Sequence, residues 1–134
     1  MPEKRTLERA KRDKRQGKSA STQAGEFVRE EMDHIRKGKH GARSTKQAIA
    51  IGLSKARRAG VKLKPPKKGQ ASARTRKQAE RDTKRGQSGT KRKTSAKRSR
   101  ATSTALKREG RSAASKRSLS KQAKSAAHRR KRAA

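Results

Sequence analysis

The chain has 134 residues, of which 44 are Lys or Arg and only 10 are Asp or Glu, for a formal net charge of +34. Apolar residues make up 25% and aromatics 1%, Phe27 alone. This composition excludes a large hydrophobic core, and a chain that repels itself so strongly belongs with a polyanion.

The basic N-terminal arm, residues 1–18, is expected to form a marginal helix over about 3–16. Glu8 precedes Arg12 by one turn, Arg9 precedes Asp13, and Gly17 stops the run. Only Leu7 and Ala10 offer apolar contact, too little to hold such a helix in isolation.

Residues 19–64 read as a helical hairpin. Phe27, Val28, Met32 and Ile35 fall on one arc and predict a helix over about 23–37, with Glu26, Glu30, Glu31 and Asp33 early and Arg36 and Lys37 late, as the helix dipole favours. Gly38 and Gly41 bracket a turn. Ser44 and Gln47 fit a capping box for a second helix over about 46–59, and Gly60 fits a left-handed cap. Ala48, Ile49, Gly52, Leu53, Ala56 and Ala59 share its apolar face, while Ile51 points away and is expected to pack on the arm or loop, the alternative being contact with a thymine methyl or a partner protein. A module under about 40 residues is marginal alone, so self-association or folding on DNA is expected to support it.

Pro65-Pro66 opens a long tail, residues 65–134, with 25 basic and 3 acidic residues. Its only large aliphatic residues are Leu106 and Leu119. It is expected to be disordered or conditionally helical, with helical composition over about 72–85 and 112–132. The fold class is thus mainly α with extensive disorder, a small hairpin plus a long basic tail.

The segment Lys46-Gln-Ala-Ile-Ala-Ile-Gly-Leu-Ser-Lys-Ala-Arg-Arg-Ala-Gly60, with Glu26-Phe27-Val28-Arg29-Glu30-Glu31-Met32 and Lys39-His40-Gly41 before it, resembles the core of a family of small basic bacterial proteins. Members of that family are labelled by similarity as DNA-binding or plasmid-stabilisation proteins. The resemblance implies a DNA partner. The tail looks like those of linker histones and bacterial histone-like proteins.

Chemistry-bearing patterns are sparse. Cys is absent, so no disulfide forms. His34, His40 and His128 have no Cys and no helical His partner; they read as solvated, with no zinc site and no cofactor. Glu30, Glu31 and Asp33 read as a charged helix face without a nucleophile, and no phosphate-binding Gly loop occurs, so no enzyme is expected. No apolar run reaches membrane-spanning length, and with no apolar segment among the first residues no secretory signal is expected. The expected setting is cytoplasmic and nucleoid-associated, or nuclear in a eukaryote, with no membrane partner.

Contact with phosphates is what remains. Duplex DNA carries about one charge per 1.7 Å, so +34 matches about 58 Å of duplex, about 17 base pairs. One Phe cannot build the aromatic platforms on which single-strand binders stack bases. The candidate nucleic-acid contacts are Lys46, Lys55, Arg57, Arg58, Lys62, Lys64, Lys67 and Lys68 in and beside the hairpin. In the tail they are Lys91, Arg92, Lys93, Lys97, Arg98, Arg100, Lys116, Arg117, Arg129, Arg130, Lys131 and Arg132. A histone-like, sequence-neutral DNA-binding protein is the leading expectation. The alternatives are an RNA-binding or ribosome-associated factor, and an adaptor whose hairpin docks a protein.

Overall fold

The structure, a computed structural model, describes residues 2–89 and 93–133. Among the described residues six α-helices follow in order: α1 (Lys4–Arg15), α2 (Ala20–Arg36), α3 (Thr45–Arg58), α4 (Ala73–Ser88), α5 (Ala96–Arg108) and α6 (Lys116–Ala133), with a 3₁₀ turn at Ser112–Ala114. Local chemistry explains their ends. Ser44 Oγ accepts from Gln47 N at 3.2 Å while Gln47 Oε1 accepts from Arg43 N at 2.6 Å, a near-reciprocal cap on α3. Gly38 (φ 77°) and Gly60 (φ 103°) adopt left-handed conformations that side chains resist. Lys39 N then donates to His34 O at 2.9 Å, and Val61 N to Ala56 O at 3.1 Å, closing the last turns of α2 and α3.

The chain divides into two compact units, each drawn from two stretches of sequence, with the boundary falling within α2 and α3. The first unit comprises residues 1–30 and 51–93. Ala10, Ala24, Phe27, Ala56 and Val61 form its buried cluster, and Leu7, Ala20, Leu53 and Leu63 pack against it. Burying Phe27 stabilises this unit by about 2–3 kcal/mol. Small residues supply the rest of the packing. A Cβ built on Gly52 falls 2.7 Å from Val28 Cα, and one built on Gly86 falls onto the Arg57 carbonyl oxygen, so α2 approaches α3, and α3 approaches α4, at backbone range.

The second unit comprises residues 31–50 and 94–134. Met32, Ile35, Ala42, Ala48, Ala113 and Ala114 are buried there. Peptide groups tie its two stretches together. Thr45 Oγ1 donates to Ala113 O at 2.7 Å and Arg36 Nε to Ala114 O at 2.9 Å. Gly41 N donates to Leu106 O at 2.8 Å, and Ala42 N to Gly110 O at 3.0 Å.

These contacts correct the expected fold class. Residues 65–134 are not a long disordered tail: they supply α4, α5, the 3₁₀ turn and α6. Nor does the hairpin stand apart, since α1 and α4 pack in the first unit and residues 94–134 complete the second. The expectation of disorder rested on the scarcity of large apolar side chains. The segment packs instead through Ala79, Gly86, Ala113 and Ala114, whose small size admits close backbone approach and direct hydrogen bonds. Leu53, on the apolar face of α3, is partly buried against the cluster of the first unit. Ile51 is half-buried. Among the described residues, no helix is long and apolar enough to cross a membrane.

Candidate nucleic-acid interface

Folding sorts the charges by sign. Asp13, Glu30, Glu31 and Asp82, four of the ten acidic residues, are buried. Arg57 is the one buried basic residue among those described. The exterior is therefore more one-sidedly positive than the composition alone requires.

In the first unit, Lys62, Lys64, Lys67, Lys68 and Lys93 are exposed, and Lys55 is half-buried. Arg58 is exposed, with Nε donating back to Ser54 O at 3.4 Å. Lys91 and Arg92 lie outside the described residues. Lys77, Arg81, Lys84 and Arg85, absent from the sequence-based set, also face solvent from α4, on the side away from buried Ala79. Their i, i+3 and i+4 spacing sets neighbouring cations about 4.5–6 Å apart along the helix. The same spacing on paper could have found them.

Arg57 is a correction. It is 7% exposed, and its guanidinium donates from Nη2 to Lys64 O at 3.1 Å and from Nε to Leu63 O at 3.4 Å. It clamps the segment that leaves α3. Burial lowers its pKa from the ordinary arginine value, and the negative charge of Asp82 opposes that shift. Asp82 in turn accepts from Ser54 Oγ at 2.7 Å and Gln78 Nε2 at 3.2 Å.

In the second unit, Lys46, Lys97, Arg98, Arg100, Lys116, Arg117, Arg129, Arg130, Lys131 and Arg132 are all exposed. No residue of α5 is buried, so its cations are accessible around the helix. A cleft of about 410 Å³ opens between the start of α3, the 3₁₀ turn and α6. Arg43, Lys46 and Lys121 line it together with the hydroxyls of Ser44, Ser112 and Ser118. Cations, hydroxyl donors and the positive end of α3 there suit a phosphate group. Arg43, Lys121 and these serines escaped the sequence-based set because the cleft joins positions more than sixty residues apart.

The histidines require a second correction. His128 is exposed, but the His34 and His40 side chains are only 13% and 16% exposed and flank buried Glu31.

Residues 4–68 match a family described as a family of unknown function (DUF6496). No curated protein and no solved structure matches the chain.

Proposed function

We propose that this protein binds double-stranded nucleic acid, DNA in the first place, through phosphate contacts made without regard to base sequence. The observation that supports this reading is the sorting of charge: buried carboxylates, with lysines and arginines outside on every helix. Base reading needs rigidly aimed Arg, Asn or Gln in the major groove. The chain has no Asn. Of the three readers that α3 offers, Gln47 serves its cap and Arg57 is buried, leaving Arg58. Phosphate contacts position a protein but carry no sequence information. Because most of the candidate cations ride on helices, binding loses less side-chain and backbone freedom than a disordered tail would lose.

The test is equilibrium binding to unrelated duplexes of equal length at several salt concentrations, with duplex RNA as a parallel arm. Six to ten phosphate contacts give an affinity that falls about 10³- to 10⁵-fold between 50 and 200 mM salt. Affinities for unrelated sequences then differ by less than about tenfold, against the 10³-fold or greater preference of site-specific proteins. A single strong consensus, or binding indifferent to salt, defeats the proposal; a strong preference for RNA redirects it.

A further inference from the structure

The last two turns of α2 and the loop after it bring together three groups that nucleic-acid binding leaves unused. Glu31 is 1% exposed. His40 Nε2 lies 3.0 Å from Glu31 Oε2, and His34 Nδ1 lies 3.9 Å from Glu31 Oε1. The two rings meet edge to face with centroids 6.0 Å apart. One donor atom from each of the three residues lies within 4.8 Å of the others. Glu31 and His34 share a helix face at i, i+3, and the left-handed turn at Gly38 brings His40 back to them.

The orientation of His40 adds an independent constraint. Its Nδ1 is 2.9 Å from Gly41 O, which can only accept, so Nδ1 carries the hydrogen. In the neutral ring Nε2 then presents a lone pair, aimed at a carboxylate oxygen 3.0 Å away. A proton can bridge that one pair of atoms, whereas a metal ion can bridge all three residues. An N–H held by a backbone carbonyl is also the arrangement that fixes metal-ligating histidines.

We infer that Glu31, His34 and His40 form a binding site for a divalent first-row transition cation of the zinc, cobalt, nickel or copper class. Ligand bonds of about 2.0–2.2 Å in a tetrahedron set donor atoms about 3.3 Å apart; each imidazole nitrogen already lies 3.0 or 3.9 Å from one of the two Glu31 oxygens, so small side-chain rotations reach that spacing. Magnesium and calcium require mostly oxygen ligands, whereas two imidazoles and one carboxylate suit the softer ions. The metal would fasten the α2–α3 loop to the end of α2 and keep one coordination position for water.

The test uses the untagged full chain, cleared of nucleic acid by nuclease and high salt and of metal by a chelator. Cobalt(II) is titrated by its visible absorption, and zinc is then added in competition. The expected result is saturation at one equivalent, with zinc displacing cobalt. Glu31→Gln, His34→Gln and His40→Gln should each weaken binding at least about tenfold, while His128→Gln leaves it unchanged. Circular dichroism accompanies each variant. Should Glu31→Gln lose helix, the two histidine variants decide, since their rings lie nearer the surface. Absence of saturable cobalt binding overturns the inference, as does binding that persists undiminished in both His34→Gln and His40→Gln.

Discussion

Three helical glycines in the first unit have the same intrinsic reason to be replaced by alanine and opposite tertiary consequences. Gly→Ala within a helix gains about 1 kcal/mol from backbone entropy alone. Gly25, on an exposed part of α2, has nothing within 4 Å of a Cβ built on it, so Gly25→Ala should stabilise by about 1 kcal/mol. A Cβ on Gly86 instead overlaps the Arg57 carbonyl oxygen and falls 3.0 Å from both Arg57 C and Gly60 N. Backbone atoms cannot rotate aside, so α4 must shift off α3. Overpacking of this kind costs about 1–3 kcal/mol, and more when backbone moves. The gain from helix propensity is smaller near the end of α4, leaving a net loss of about 1–2 kcal/mol. Gly52→Ala meets Val28 Cα at 2.7 Å and N at 2.9 Å and should behave likewise. Thermal unfolding followed by far-UV circular dichroism measures all three variants. At about 3–5 °C per kcal/mol for a chain of this size, Gly25→Ala should melt a few degrees above the parent and Gly86→Ala several degrees below. If Gly86→Ala proved as stable as Gly25→Ala, the close approach of α3 and α4 would be refuted, and with it the account of how an alanine- and glycine-rich segment packs.

Arg57→Ala leaves the Leu63 and Lys64 carbonyls without their donor and should cost about 1–3 kcal/mol. The slope of DNA affinity against salt should change by less than about one; an unchanged melting temperature with lost DNA binding would return Arg57 to the interface. Asp82→Asn keeps the shape but removes the charge that accepts from Ser54 and faces Arg57, a loss of about 1–3 kcal/mol in urea unfolding. Replacing Arg129, Arg130, Lys131 and Arg132 together by Ala should leave helix content unchanged, since all four are exposed. If each neutralises one phosphate, the log–log salt slope becomes shallower by about 3.6, read by fluorescence anisotropy at several salt concentrations.

Helices were legible where local chemistry marks them. The 3.6-residue apolar arc through Phe27, Met32 and Ile35, the Ser44–Gln47 cap and the glycines at 38 and 60 are short-range signals, and α2 and α3 begin and end within three residues of where those signals put them. The two tail stretches of helical composition correspond to α4 and α6, but α5 carries no such signal because its apolar content is Leu106 and small alanines. Net charge was likewise fixed by composition, and with it the expectation of a polyanionic partner.

Tertiary structure decided which charges face water and whether the second half is ordered. Nothing within a few residues of Arg57 distinguishes it from Arg58, yet one clamps Leu63 and Lys64 and the other is exposed. Glu31 becomes a buried partner of His34 and His40 only once the Gly38 turn has folded His40 back. Hydrophobic volume underrates residues 65–134 because Ala113, Ala114 and Gly86 contribute little transferable area. What they contribute is proximity: with almost no side chain to intervene, distant segments approach closely enough for the Ala113 and Ala114 carbonyls to accept from Thr45 and Arg36, a property that belongs to the pairing of segments and to no segment by itself.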